Sequence, residues 1–206
     1  MYAIVTDGNI SKTFNNPRRI TINNIRYSTK IYSLWSEAEK KAVGLYEVEY
    51  DNSNKKDEEW YINTNETLSY DASGDKVVAS YGTATAKKIA DTLWTSQDKT
   101  DGKIRDGEDV GDVATDGLKT VKKRMIDLKC AGILQPSDCL VIKAKETSTT
   151  MNSGWKTWRA AVRTKCNAMQ TQIDDAANVD ALAALFNYTT TDGVQSRPLG
   201  EFPVKE

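Results

Sequence analysis

The first decision about chemistry follows from a residue type that is missing. Among 206 residues there is no histidine. Histidine is the usual general base near pH 7 and the commonest metal ligand. Its absence excludes every Ser-His-Asp and Cys-His mechanism, and most zinc and non-haem iron sites. Carboxylate and lysine chemistry survive that exclusion. The adjacent Glu58-Glu59 cannot act as a catalytic pair in a strand, because neighbours there point to opposite faces. Neither a Walker A motif nor a Gly-x-Gly-x-x-Gly loop offers a phosphate cradle. The expectation is a chain without catalytic residues, cofactor or metal.

The other ligating residues agree. Cys130, Cys139 and Cys166 are widely spaced and odd in number, which suits reduced buried thiols rather than a disulfide framework or a zinc site. The acidic stretch 96–117 invites a calcium test. With Asp101 at position five of an EF-hand loop, Gly102, Ile104 and Glu108 fall at positions six, eight and twelve. Gln97 and Lys99 then occupy positions one and three, so two carboxylates are missing and a cation takes their place. A flexible acidic linker is the simpler reading.

The strongest candidate for molecular recognition is a cluster of Trp155, Trp158, Arg159 and Arg163. Trp155 and Trp158 lie at i, i+3, hence on one helical face, and both types dominate protein–protein hot spots. The same residues would also serve as core anchors of a helical hairpin. Lys119, Lys122, Lys123, Arg124 and Lys129 make a basic face, read as solvated and balancing the acidic stretch. With 28 basic and 29 acidic residues overall, no general attraction to nucleic acid is expected.

These side chains are positioned by two kinds of element. Residues 1–95 read as β-rich. Asp7-Gly8 signals a hairpin after Tyr2-Ala3-Ile4-Val5, and Ile20-Thr21-Ile22 is an edge strand or loop. Ser36 with Glu39 forms a capping box for a short helix ending at Gly44. Strands then fall at residues 45–50, 60–62, 67–70 and 76–81, giving a small antiparallel meander with one helical insert and one buried face. Residues 84–94 carry helix formers, with Ile89 and Leu93 at i, i+4.

Residues 96–117 hold four of the twelve glycines and seven acidic residues, which marks a linker. Residues 118–206 form the helical module. Leu118, Val121, Met125, Leu128 and Gly132 make an apolar stripe expected to face inward. Leu140, Val141 and Ile142 follow, then Trp155, Trp158, Val162, Cys166, Met169 and Ile173 on one long helix. Asn178 caps a last helix, and the chain from Thr189 onward reads as an extended arm. The fold class is α+β: a β-meander followed by a helical hairpin or bundle. No apolar run is long enough to span a bilayer, and the first residues lack a signal-peptide pattern, so no membrane insertion is expected.

Several phrases of this sequence resemble a known family. Ile133-Leu134-Gln135-Pro136-Ser137-Asp138-Cys139-Leu140-Val141-Ile142-Lys143, followed by Trp158-Arg159-Ala160-Ala161-Val162-Arg163, resembles the tail assembly chaperone-like segment of bacteriophage tail proteins. There Leu-x-x-(Ser/Thr)-Asp-Trp precedes a helix and Tyr-Arg-x-(Ala/Leu)-(Leu/Val)-Arg follows. Cys139 stands where that pattern has Trp, and Trp158 where it has Tyr. The opening Met1-Tyr2-Ala3, with Gly44-Leu45-Tyr46-Glu47-Val48 and Gly74-Asp75-Lys76-Val77-Val78, resembles a second phage module. Arg197-Pro198-Leu199-Gly200-Glu201-Phe202-Pro203 is similar to the endings of marine-phage tail or fibre-associated proteins.

The resemblance implies a structural protein of the tail, at the baseplate or the fibre attachment. It would be assembled in the host cytoplasm, reside in the virion and contact other phage tail proteins. Multiple copies in a symmetric assembly would follow. The alternatives are an assembly chaperone absent from the mature virion, and a host-surface glycan-binding module using aromatic residues such as Trp60.

Overall fold

Asp7 and Gly8 both take left-handed backbone, with φ of 51° and 75°. They close a hairpin between β1 (Tyr2–Thr6) and β2 (Asn9–Phe14), as the Asp-Gly pair predicts. The same device recurs at Asn23 and Asn24, φ 48° and 64°, between β3 (Ile20–Ile22) and β4 (Ile25–Tyr27). In the computed structural model, which describes residues 1–205, the chain divides into Met1–Thr85 and Ala86–Glu206.

After α1 (Ile31–Leu34), the predicted capping box opens α2 (Glu37–Ala42). The Glu39 amide donates to Ser36 Oγ at 3.3 Å, and the Ser36 amide donates to the Glu39 carboxylate at 2.8 Å. Gly44 ends the turn at φ +85°, where a Cβ would sit 2.5 Å from the Val5 carbonyl oxygen. Both constraints demand glycine.

The chain continues through β5 (Leu45–Asp51), the two-residue β6 (Tyr61–Ile62), β7 (Thr67–Asp71) and β8 (Lys76–Ser80). The sheet order is β2-β1-β5-β8-β7, and β5 pairs with β8 in parallel, Val48 opposite Val77. The expected antiparallel meander is therefore a mixed sheet. Residues 52–66 carry the chain past β5 to the far edge, and the β7–β8 hairpin returns β8 into the gap. The sequence of β8 suits that central place: Val77-Val78-Ala79 is continuously apolar, whereas Leu68 and Tyr70 of β7 alternate with polar neighbours.

Both faces of this sheet are covered, not one. Ala3, Tyr46, Val48, Val77 and Ala79 pack together with Ile10, Leu68 and Tyr70. Strand alternation sends Ile4 and Leu45 the other way, into a second cluster with Phe14, Ile20, Ile22 and Ile31. The β3–β4 hairpin and α1 thus cover the second face. Burying each such aliphatic side chain contributes about 1.5–3 kcal/mol.

The second unit departs further from expectation. Residues 84–94 are not helical: they hold β9 (Thr85–Ala86), at the division between the units, and β10 (Thr92–Leu93). Nor is 96–117 a free linker. It contains α3 (Ser96–Thr100), capped by Thr95, and β11 (Val113–Thr115), which pairs with β10. Trp94 organises this lobe. Its indole N–H donates to Glu108 at 2.6 Å, and its backbone exchanges hydrogen bonds with Gly111 and Asp112. An aromatic anchor hidden among acidic residues is why composition alone reads as disorder.

Then come α4 (Leu118–Leu134), a single 3-10 turn at Gln135–Ser137, α5 (Asp138–Glu146), α6 (Ser153–Asp175) and α7 (Val179–Phe186). Helices α4 and α6 run antiparallel. Lys119 Nζ donates to the Asp174 carbonyl at one end, and Arg159 Nη1 to the Leu134 carbonyl at the other. Their shared core holds Ile126 and Cys130 from α4 against Val162, Cys166, Met169 and Ile173 from α6. Asn178 caps α7 as expected, accepting the Ala181 amide at 2.8 Å.

The ending is not an arm. Asp192 and Gly193, φ 52° and 77°, turn a hairpin of β12 (Thr189–Thr191) and β13 (Val194–Ser196). Leu199 is then fully buried, with its amide on the Leu185 carbonyl at 3.1 Å. The α+β class stands: a sheet unit followed by a helical unit.

Candidate protein interface

The four candidate residues do not share one role. Arg159 is buried, and its guanidinium is consumed internally. It donates to the Leu134 carbonyl at 2.8 Å, to Ser137 Oγ, and to Asp138 Oδ1 at 2.6 Å. Arg159 therefore closes the C-terminal carbonyls of α4 and fixes the corner into α5. Trp155 and Trp158 meet edge to face, with centroids 5.6 Å apart. Trp158 Nε1 donates to the Pro203 carbonyl at 2.9 Å, and Lys205 lies over Trp155 at 5.4 Å. The pair holds the chain's ending against α6. Arg163, one turn on, is exposed. Core anchoring describes this cluster better than a free hot spot does.

The surface that the sequence assigned inward is the one left open. On α4 the residues facing α6 are Lys122, Ile126 and Cys130. Val121, Met125 and Leu128 lie roughly opposite, at about 100° per residue, and are 45%, 43% and 69% exposed. On α5, Val141 and Ile142 are also exposed, 41% and 55%, and no residue of α5 is buried. The expected inward packing fails for Val121, Met125, Leu128, Val141 and Ile142, whereas Leu118 and Leu140 are half-buried.

The misreading has a physical cause. Helix α4 carries two apolar rows, and a lysine interrupts the buried one. Lys122 lays its stem inward and sets its ammonium 5.0 Å from the Phe186 ring, so a charged residue occupies a core position. Period alone favours the uninterrupted row. The signal that would have found the outward stripe is the match of α6: its buried row needs Ile126 and Cys130 as partners.

The basic residues of α4 are mostly tied down. Lys123 pairs with Asp174 at 2.8 Å, Arg124 with Asp116 at 2.8 Å, and Lys129 with Glu201 at 3.6 Å. The row is nonetheless a solvated face, with the Arg124 and Lys129 side chains 59% and 49% exposed, and Arg124 balances the acidic stretch through Asp116 as expected. What remains on the outward side is apolar surface rimmed by neutralised charge, the makeup of a protein contact rather than a phosphate one.

Tyr46 and Tyr70 hydroxyls both donate to Asp75 Oδ1, at 2.7 and 3.0 Å. Burial, with these two neighbours, holds the Tyr46 phenol above its ordinary value. The same hydrogen bonds hold the Asp75 carboxyl below the usual carboxylate range. A cleft of about 290 Å³ between α2 and β5 is lined by Lys40, Lys41 and Lys76 against Glu37, Glu47 and Glu49, so its charges balance.

In the tested calcium loop, Asp101 pairs with Lys103 at 2.7 Å, and Glu108 with Arg105 and Trp94. Among the described residues no group of three or more Cys, Asp or Glu could hold a metal ion, and no helix is long and apolar enough to cross a membrane. No protein-family model, curated protein or solved structure matches the chain.

Proposed function

We propose that the chain is a structural component of a bacteriophage tail, at the baseplate or the fibre attachment, that acts through protein–protein contacts and carries out no catalysis. The tail assignment rests on the resemblance of residues 133–143 and 158–163. The observation that supports action by contact is the outward row Val121, Met125 and Leu128 on α4. Three large apolar side chains in one row, opposite the helix's own core face, mark a surface that another protein covers. Its partners would be other tail proteins, and several symmetric copies would present the row repeatedly.

An assembly chaperone that leaves before the particle is complete would use the same row. Mass spectrometry of purified virions separates the two. The structural reading expects the chain at a stoichiometry set by the tail's symmetry. Its presence in infected-cell lysate but absence from particles would overturn that reading and favour the chaperone. The glycan reading loses its best residue, because Trp60 is 4% exposed and offers no open ring for a sugar.

A further inference from the structure

Three cationic side chains are buried among the described residues. Arg159 is paired with Asp138, and Lys122 lies at the Phe186 ring. Lys40, 9% exposed and the buried residue of α2, has no hydrogen-bond or ion-pair partner. A cation taken from water without a counter-charge is costly, so buried lysines are ordinarily paired. The one sealed side-chain polar atom without a partner among the described residues is the Tyr32 hydroxyl, so the Lys40 nitrogen is not closed off. It opens into the cleft between α2 and β5, which Lys41, Lys76, Glu37, Glu47 and Glu49 also line.

The other two cations of the cleft are already engaged. Lys41 Nζ donates to the Asp75 carbonyl at 2.6 Å, and Lys76 pairs with Glu49 at 3.5 Å. Glu37 and Glu47 are exposed and have no ion-pair partner. Glu37 lies one helical turn before Lys40, and Glu47 projects to the same side of β5 as Glu49. Left over are one recessed ammonium and two carboxylates nearer to solvent, none close enough to pair with another. An apolar residue at position 40 would hold α2 on the sheet better than an unpaired cation does. A side chain that weakens its own packing is expected where it binds something.

We propose that this cleft binds a small molecule with one carboxylate and two cationic groups, as a basic amino acid has, its carboxylate on Lys40 and its cations on Glu37 and Glu47. A simple anion would meet Lys40 but be repelled by the two free carboxylates. A simple cation would leave Lys40 unpaired. The mixed ligand answers all three charges with charge-assisted hydrogen bonds. The volume of about 290 Å³ lies at the small end of ligand pockets, which run to about 1,000 Å³, and suits a single amino acid. This site lies in the sheet unit and does not depend on the function proposed for α4.

Isothermal titration calorimetry of the full chain tests the site with L-lysine and with cadaverine, which is L-lysine without its carboxylate. L-lysine should bind saturably and at least about tenfold more tightly than cadaverine, because the recessed ammonium is met only by the carboxylate. Lys40→Met should lose that preference while melting at or above the parental temperature. A lysine kept only for the fold would leave L-lysine binding in place. No binding of L-lysine up to millimolar concentration, equal binding of cadaverine, or unchanged L-lysine binding in the folded Lys40→Met chain would each overturn the proposal. Where Lys40→Met does not fold, Glu47→Gln, at an exposed position, decides. L-lysine binding weakened several-fold is then expected, and unchanged binding overturns the site.

Discussion

Asp91 caps helix α4 across 26 residues of chain: its Oδ1 accepts the Gly117 amide at 2.6 Å. Its Oδ2 accepts the Thr120 hydroxyl at 2.9 Å. Gly117 is the N-cap residue and has no side chain to accept the helix's free amides. The next two amides, of Leu118 and Lys119, donate to the Lys88 and Ile89 carbonyls at 3.0 and 3.1 Å. The stretch expected to be helical is instead extended because it lies across the start of another helix.

Replacing Asp91 should therefore loosen α4. Asp91→Ala is expected to lower the melting temperature, and Asp91→Asn, which keeps an acceptor, to lower it less. The Gly117 amide first, then the Thr120 hydroxyl, hold the Asp91 carboxyl below its ordinary value. A depressed folded value stabilises above the unfolded one, near pH 4, and that stability is lost as pH falls through the folded value. Urea titrations at neutral and acidic pH should show the Asp91→Ala penalty shrinking toward low pH. A penalty that persists unchanged in acid would contradict the role of the charge.

Gly117 and Gly44 should both resist substitution. A Cβ at Gly117 would collide with the Ala90 carbonyl group, and one at Gly44 with the Val5 carbonyl. Gly117→Ala is expected to cost at least about 2 kcal/mol by overpacking. Gly44→Ala adds left-handed strain to its clash and should cost a similar amount, about 1–3 kcal/mol. Chemical denaturation of each variant measures both.

Arg159 should behave as a structural residue rather than an interface one. Truncation to Ala removes a donor from both the Leu134 carbonyl, which keeps the Ser137 hydroxyl at 2.7 Å, and the Ser137 oxygen, at a cost of about 1–3 kcal/mol. Asp138, whose side chain is half exposed, should be worth far less, about 0–1 kcal/mol for Asp138→Asn. Equal losses for the two variants in denaturation would argue against a buried, one-sided clamp.

Tyr46 should contribute to the alkaline limb of stability, together with Cys166, whose thiol burial also pushes up. The raised folded value of Tyr46 means the protonated phenol is favoured by the fold, so this contribution is complete below about pH 10 and lost as pH rises toward the folded value. Stability followed by circular dichroism should fall above pH 10 in the parent, and Tyr46→Phe should flatten that fall.

Much of the fold is written in short-range signals. Asp7-Gly8, the Ser36–Glu39 box and Asn178 each act on neighbouring backbone, so local sequence suffices to place them. The α6 row of Val162, Cys166, Met169 and Ile173 is also legible, because no charge interrupts it. What was hidden depends on distant partners. The parallel β5–β8 pairing requires knowing where the chain returns. Trp94 orders an acidic lobe through Glu108, fourteen residues on. Lys122 hides inside the α4 core by placing its ammonium at an aromatic ring, which inverted the reading of both faces of that helix. The contacts of Trp155, Trp158 and Arg159 were hidden for the same reason: they have the composition of a hot spot, but Arg159 binds the corner into α5 and Trp158 the Pro203 carbonyl.

The most direct test of action through α4 combines folding with incorporation. Met125→Glu and Leu128→Glu together, at exposed positions, should change stability by no more than about 1 kcal/mol. A phage carrying the double variant should yield purified particles depleted of the chain at least about tenfold, since charging a contact face costs more than about 1.4 kcal/mol, which is tenfold in affinity. A variant that folds normally and enters particles at the parental level would contradict the assignment of this face.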